Sequence, residues 1–432
     1  MINNILVIGE LDDFIKMPKR HYSFIKGFGI STGFSKLCSV FYLTLGKDDT
    51  IDNVNLVNID KINNNFLRTI DFILFIREFN LLEIMEKSKP IKKVLFDQNK
   101  TQKIGIKCDS LYWIFNKMYL IDFQQKYKIK WYDFLLDNFN MICVQTEEFK
   151  NQDLNKIKKK IPNRYERFNK KIFISRMGVF PEDPTFKGNN NPYEINHSYC
   201  RDDFKKLKEN LALHPLCYTN INLRYSHDKG KNYNKKKTIL IYMGRIRTNE
   251  GKIALVMRDI MNKLGDNFEL HVFPGRFCIP DSKVSVFSSK YPVNLQILRD
   301  TVFYSCNNVI IHYPYDDKNK SKYLTYADIG IDFSSKRPLN IICPAGNAKL
   351  LEYCNYGLKV VTEKNVNNSH LVQDGKNGIV LDNIASVDEY VESIKKLVDF
   401  KYDKKFTINQ TIKTNSWNII AKEMFEYINK LK

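Results

Sequence analysis

Paired cysteines, acidic charge and long apolar runs are what this sequence has least of. Its nine cysteines, at positions 38, 108, 143, 200, 217, 278, 306, 343 and 354, are odd in number, scattered, and never spaced Cys-x-x-Cys. That excludes a disulfide framework and a zinc site built on cysteine pairs, and points to a reducing compartment. Apolar stretches such as Phe72 to Ile76 fall far short of the roughly 18 residues a membrane-spanning helix needs. Met1 to Glu10 reads as a strand, with no basic segment or cleavage site of a leader peptide. The expectation is a cytoplasmic protein whose membrane contact, if any, is peripheral and to an anionic surface.

Acidic residues are the other shortage: 48 Asp and Glu stand against 68 Lys and Arg, a net charge of +20. A balance that basic invites a nucleic-acid or anionic-membrane reading. The lysines, however, arrive with abundant Asn and Ile, as in Lys61 to Asn65 and Asn365 to Asn368, the mixture an A+T-rich coding sequence produces without any function attached. The runs Lys156 to Lys160 and Lys235 to Lys237 read as solvated faces.

With 432 residues there is room for two or three domains at about 150 residues each. Hydrophobic residues at 43% and charged residues at 27% exclude wholesale disorder. Ile5-Leu-Val-Ile8-Gly9 is a short apolar run stopped by glycine, the pattern of a buried parallel strand, and similar runs recur at Asp71 to Ile76, Val94 to Phe96, Met141 to Val144 and Ile172 to Ser175. Between them, Phe34, Leu37, Cys38, Phe41 and Leu45 repeat at helical spacing, so Gly33 to Leu45 is expected as an amphipathic helix. Strands alternating with helices imply a parallel sheet covered on both faces.

From Gly188 to Lys237 the sequence turns polar and rich in structure breakers, the texture of a connection with an insertion. A second series follows: strands at 238–243, 268–273, 309–312, 329–333 and 359–362, helices at 253–264 and 348–356, and a terminal helix at 417–431. The expected organisation is an N-terminal domain over 1–187, a linker or insertion over 188–237, a C-terminal domain over 238–405, and a returning helix over 406–432. Two α/β halves put a ligand cleft at the carboxyl ends of their sheets, an architecture that names no chemistry by itself.

Chemistry enters at Pro344-Ala-Gly-Asn347-Ala-Lys349-Leu350-Leu-Glu352-Tyr-Cys-Asn-Tyr-Gly357-Leu-Lys-Val-Val361. Asn347 is a good N-cap and Gly357 a left-handed stop, so a helix opens at 347–350 with free N–H groups suited to phosphate. Lys349 and Glu352, three apart, share a face: a cation for phosphate one turn from a carboxylate able to accept two ribose hydroxyls. An i, i+3 salt bridge on a solvated helix is the plainer alternative.

The segment resembles the donor-binding helix of GT-B glycosyltransferases, in the version Pro-x-x-x-x-Lys-Leu-x-Glu-Tyr-x-x-x-Gly-x-x-Val-Val. Asn368-Ser-His-Leu-Val-Gln-Asp374-Gly-Lys-Asn-Gly378 is similar to that family's following loop, Ile239-Leu-Ile-Tyr-Met-Gly244-Arg245 to its strand and Gly-Arg turn, and Tyr323-Leu-Thr-Tyr-Ala-Asp328 to its Tyr-x-x-Ala-Asp element. The resemblance implies two Rossmann-like domains facing across a cleft, with a C-terminal helix returning to the first domain. It implies a hexosyltransferase of glycan biosynthesis that takes a UDP- or GDP-sugar as substrate, without a further cofactor, and a glycan, lipid or protein as acceptor. By resemblance Glu352 holds the ribose, Arg245 and Lys349 bind the diphosphate and stabilise leaving charge, and Gly244, Lys252, Asn347 and Leu350 complete the donor grip.

No Asp-x-Asp, the triad that anchors a divalent ion in the other large transferase fold, occurs anywhere, which favours a metal-independent mechanism. Two departures from the family pattern stand out. Pro344 occupies the place of a Glu eight residues before the ribose Glu, and Glu250 replaces a Lys, with Arg247 and Lys252 as substitutes. Retention of anomeric configuration follows from the resemblance alone. Lys26-Gly27-Phe-Gly29-Ile-Ser-Thr-Gly33 is similar to the family's glycine-containing loop before the first helix, which gives Gly29 a place near the donor. For a base, Asp97 is the candidate, at the carboxyl end of the strand expected at Val94 to Phe96, with capping of a turn as its alternative. His312 ends another expected strand, in a loop that the resemblance puts near the nucleotide base, with a satisfied core or loop histidine as its plainer role, and His271 reads as core. The net charge keeps a DNA-modifying glucosyltransferase in view, and the two departures a non-catalytic scaffold of the same fold.

Overall fold

The computed structural model describes residues 2–9, 22–97, 100–108, 123–180, 237–244, 251–273, 302–311, 323–333, 348–364, 371–382 and 385–431. The chain divides into two compact units, one of residues 1–181, 343–346 and 412–432, the other of 182–342 and 347–411. The expected insertion over 188–237 lies outside the described residues, apart from Lys237.

In the first unit, β1 (Asn4–Ile8), β2 (Ser39–Thr44), β3 (Asp49–Ile51), β4 (Val54–Asn58), β5 (Phe72–Ile76), β6 (Lys103–Lys107), β7 (Met141–Val144) and β8 (Ile172–Ile174) form one sheet. Its order is β3-β4-β2-β1-β5-β6-β7-β8, parallel except for the β3/β4 pair. The uninterrupted apolar runs of β5 and β7 are buried along their whole length, as a sheet covered on both faces requires. The helices are α1 (Tyr22–Phe34), α2 (Asn64–Arg68), α3 (Glu78–Lys87), α4 (Lys89–Phe96), α5 (Trp131–Asn138), α6 (Glu147–Lys160) and α7 (Tyr165–Lys171). Thr146 caps α6 by accepting from the Phe149 N–H, and Lys158, Lys159 and Lys160 stand exposed in its last turn, where the helix dipole favours cations.

The second unit holds β9 (Thr238–Met243), α8 (Gly251–Leu264), β10 (Phe268–Phe273), β11 (Val309–Ile311), β12 (Ile329–Asp332), α9 (Ala348–Asn355), β13 (Lys359–Glu363), β14 (Gly378–Leu381) and α10 (Val387–Val398). Its six strands run parallel in the order β11-β10-β9-β12-β13-β14. Gly357 ends α9 as expected: at φ 64° it lets its own N–H reach the Cys354 carbonyl at 3.0 Å and that of Leu358 reach Tyr353 at 2.9 Å. α11 (Lys404–Asn415) begins in the second unit and ends in the first, and α12 (Trp417–Lys430) completes the first. Among the contacts that seat α12 on the N-terminal unit, its N-cap Ser416 pairs with Val179, Arg176 bonds Glu423 at 2.7 and 2.8 Å, and the Ile2 N–H donates to Asn429 at 3.0 Å. Among the described residues no helix is long and apolar enough to cross a membrane.

Two sequence expectations give way. Gly33 to Leu45 is not a helix: α1 ends at Phe34 and the chain turns into β2 at Ser39. The supposed apolar face places Leu37 and Leu45 in solvent, 41% and 40% exposed, while Val40, Tyr42 and Leu43 between its members are fully buried. β-branched and aromatic side chains crowd Ser39–Thr44, and they prefer the pleated strand. Val94 to Phe96 is not a strand but the end of α4, which Ser88 caps and which buries Ile91 and Leu95 one turn apart.

Candidate functional site

The carboxyl edge of the second sheet brings together the ends of β9, β12 and β13 and the first turns of α9. Tyr353 sets the helix on the sheet. Its ring lies over Gly330 of β12, where a Cβ would come within 2.4 Å of Cδ2, and its hydroxyl accepts the Met243 N–H at 2.8 Å. Glycine at 330 is therefore a condition for α9 to approach the strands. The neighbouring Gly244, which follows β9, donates its N–H to Phe273 at 2.9 Å.

Lys349 pairs with the carboxylate of Asp332, the last residue of β12. Asp332 has no exposed side-chain surface and Lys349 keeps 8%. The other carboxylate oxygen of Asp332 accepts from the Thr362 hydroxyl at 3.0 Å, across the β12/β13 register that places these two residues side by side. The Lys349 ammonium also lies 5.4 Å from the centre of the Tyr242 ring, a cation–π distance. Tyr390 of α10 closes the cluster, its hydroxyl 3.4 Å from the Asp332 carbonyl. Burial, reinforced by Glu363 and Asp332, pushes its phenol well above the ordinary range, so it stays neutral. Glu363, at the end of β13, is fully buried.

Of the two residues read as sharing this helix face, Lys349 is thus paired with Asp332. Glu352 is half-buried one turn further along α9, and Leu350 is fully buried in the core of its unit. Lys252 lies in the first turn of α8, its side chain outside the described residues; Arg245, Asn347, Pro344, Glu250, Arg247 and His312 also lie outside them. His271 is buried in β10 with Nε2 2.9 Å from Glu269. Asp332, Thr362, Tyr390 and Glu363 were not singled out from the sequence. The available signal was polar: Asp332 and Glu363 are acidic residues closing apolar strands at the edge where ligands collect.

In the first unit two candidates sit elsewhere than expected. Gly29 is not in a loop before a helix but inside α1, facing Trp417, where a Cβ would lie 2.3 Å from Nε1. Its small size serves packing. Asp97 is the exposed C-cap of α4. Lys100, whose Nζ is 3.3 Å from the Asp97 carbonyl and 3.4 Å from Asn138, precedes the start of β6, and Asn138 the start of β7. Asp97 therefore stands at the amino edge of its sheet, opposite the edge where residues of a substrate site gather.

The chain matches solved structures over its full length. A glycosyltransferase from Rickettsia africae is 13% identical, with a TM-score of 0.56 and coverage of 100% of this chain and 98% of that one. Anabaena HepE, solved with UDP and glucose, is 11% identical at 0.56, covering 99% and 100%. An Escherichia coli structure described as trehalose-6-phosphate bound with UDP-2-fluoro glucose is 11% identical at 0.56, covering 100% of both chains. No protein-family model and no curated protein sequence matches the chain. At these identities the likeness shows the fold, which is GT-B.

Proposed function

We propose that this protein is a metal-independent glycosyltransferase of the retaining type, which moves a hexose from a nucleotide-sugar to a glycan, lipid or protein acceptor. The observation that carries the reading is a coincidence of sequence and place. Lys349-Leu-x-Glu352-Tyr353 occupies a helix at the carboxyl edge of the second sheet, beside the end of β9, in a chain with the GT-B fold. Structures of that fold hold UDP, glucose and UDP-glucose, which makes a UDP-sugar the first donor to try and a GDP-sugar the second.

In this reading residues 238–405 hold the donor and 1–187 the acceptor. Glu352 accepts the ribose hydroxyls. Arg245, Lys349 and Lys252 face the diphosphate, while Gly244 and Asn347 let backbone N–H groups approach it. The bond between the anomeric carbon and the phosphate oxygen breaks, and the nucleoside diphosphate departs with the electron pair. The acceptor oxygen bonds to that carbon, and its proton passes to the departing phosphate oxygen. Fixed cations and a helix N-terminus stabilise the charge on the leaving group without a metal. Asp97, at the amino edge of the first sheet, is given no step. Buried free cysteines fit work in the cytoplasm.

The test is a panel of nucleotide-sugars screened by calorimetry, nucleotide release and mass-spectrometric detection of product, with NMR of the new linkage to read its anomeric configuration. Binding and hydrolysis of none of them would sink the proposal.

A further inference from the structure

Asp332, like Glu363, is a charged residue of this edge to which the transfer reaction above gives no task, and of the two it is Asp332 that pairs with Lys349. A carboxylate without exposed surface is costly unless it is paired and hydrogen-bonded, and Asp332 is both. Lys349 takes Oδ1 and the Thr362 hydroxyl takes Oδ2, so the two oxygens are fixed by different elements and the carboxylate cannot turn away from the ammonium. The result is a neutral unit in the place where the donor diphosphate would seek a cation. Glu363, equally buried at the end of the next strand, adds no positive charge to it, and Tyr390 beside both stays a neutral phenol.

We propose that Asp332 is a positioning residue that sets the charge presented by Lys349, weakening its hold on the nucleoside diphosphate so that this product leaves after transfer. The inference rests on the reading in which Lys349 meets the diphosphate. Its chemical basis is the difference between donor and product. In a nucleotide-sugar the diphosphate is esterified at both ends and carries two charges; the released nucleoside diphosphate has a terminal phosphate whose further ionisation falls near pH 6, by analogy with phosphate monoesters, pKa about 6. An unpaired ammonium in a water-poor site would therefore hold product more tightly than donor. An ammonium shared with Asp332 still has N–H groups to donate besides the one it gives to Oδ1, but little net charge to give.

The experiment is calorimetric titration of the full chain with UDP and with GDP at low and high salt, with uridine as the uncharged control. It compares the unaltered protein with Asp332→Asn, Lys349→Met and the double variant, in a double-mutant cycle. Asp332→Asn is expected to bind the nucleoside diphosphate at least about five-fold more tightly, an effect of one released charge that shrinks with salt and disappears when Lys349 is Met. Uridine affinity stays the same. Equal or weaker diphosphate binding by Asp332→Asn, or a gain that survives in the Lys349→Met background, overturns the inference; a merely structural Asp332 lowers the melting temperature and leaves the affinity alone. If Asp332→Asn does not fold, Lys349→Met decides: it is expected to lose no more than about five-fold in diphosphate affinity, because its charge was already shared. A larger loss overturns the inference. If the unaltered protein binds neither nucleotide, the glycosyltransferase reading fails and this inference with it; if it binds and Asp332→Asn changes nothing, only the inference fails.

Discussion

Gly33 of α1 and Trp417 of α12 stand so close that a Cβ on Gly33 would lie 2.4 Å from the Trp417 carbonyl oxygen. One turn earlier on the same face, Gly29 meets the indole itself, and Gly178 meets its other side, with a Cβ there 2.3 Å from Cδ2. The terminal helix is thus seated on the N-terminal unit by a buried tryptophan held between glycines. Gly33→Ala has a backbone atom as its obstacle, so the helices must separate, at a cost of about 1–3 kcal/mol. Trp417→Ala empties the seat and costs about 3–5 kcal/mol. Urea unfolding of the full chain measures both; a Gly33→Ala variant as stable as the parent would refute the interlock.

Cysteine reactivity follows from burial. Desolvation pushes the thiols of Cys143 and Cys354 up to about 12, and that of Cys38 likewise, with Asp71 adding to the effect. The nucleophilic thiolate is then scarce at pH 8. Native protein should leave Cys143 and Cys354 unlabelled by iodoacetamide over hours, whereas urea exposes them within minutes; mass spectrometry of the peptides checks this. Labelling of either at the rate of a free thiol would contradict their placement.

Tyr402 gives a pH dependence of definite sign. Its hydroxyl donates to the Gly357 carbonyl, and burial, with Asp328 and Cys354, lifts its phenol to about 12. A folded pKa above the unfolded value near 10 means that the stabilisation is complete below pH 10 and is lost as pH rises towards 12. Tyr402→Phe removes that ionisation. The stability difference between parent and variant should shrink by roughly 1–2 kcal/mol between pH 9 and 12, the full linkage being reduced because the ring is only half-buried. Denaturant melts at a series of pH values read it; a difference independent of pH would show that the phenol does not ionise in this window.

How much of this was legible in the sequence depended on whether burial alone decided the outcome. Ile5 to Ile8, Met141 to Val144 and Ile239 to Met243 are apolar without interruption, and each is a strand of a sheet with two covered faces. Gly357 announced the end of α9 because only a left-handed residue fits there. Ser39–Thr44 misled because Phe34, Leu37, Cys38, Phe41 and Leu45 fall at helical spacing by accident, and only tertiary burial separates strand from helix in so short a run. Lys26 to Gly33 misled for a related reason: glycines that could open a loop instead let two helices touch. Lys349 and Glu352 were visible as a pair on one helix face, whereas Asp332 was not, because its partners Lys349 and Thr362 come from elements 17 and 30 residues away and meet only in the folded sheet.

Glu352 carries the most direct test of donor binding. On α9 it stands one turn from Lys349, and the proposed task is to accept two ribose hydroxyls. Glu352→Gln keeps the shape and removes the charge, so charge-assisted hydrogen bonds worth about 1.5–3 kcal/mol are weakened and kcat/KM falls about 10- to 100-fold. The same substitution should matter much less with a 2′-deoxyribose donor, since one of the bonds is already absent. Steady-state kinetics with the two donors separate these cases, and an equal loss with both would remove Glu352 from the ribose.

Tyr353 links that helix to the strand that leads to Arg245. Its hydroxyl accepts the Met243 N–H at 2.8 Å, and it is buried over Gly330. Tyr353→Phe takes away an acceptor from a buried N–H, at a cost of about 1–3 kcal/mol. Because Met243 precedes the Gly244-Arg245 turn while α9 carries Lys349 and Glu352, the same change loosens the two parts of the donor grip relative to each other. Donor KM should rise several-fold while kcat, once the donor is bound, stays within about threefold. Stability is followed by urea unfolding and the donor effect by initial rates. A loss of stability with an unchanged KM would make Tyr353 a packing residue alone, and a fall in kcat with KM unchanged would mean that the alignment it provides is used in the transition state instead of in binding.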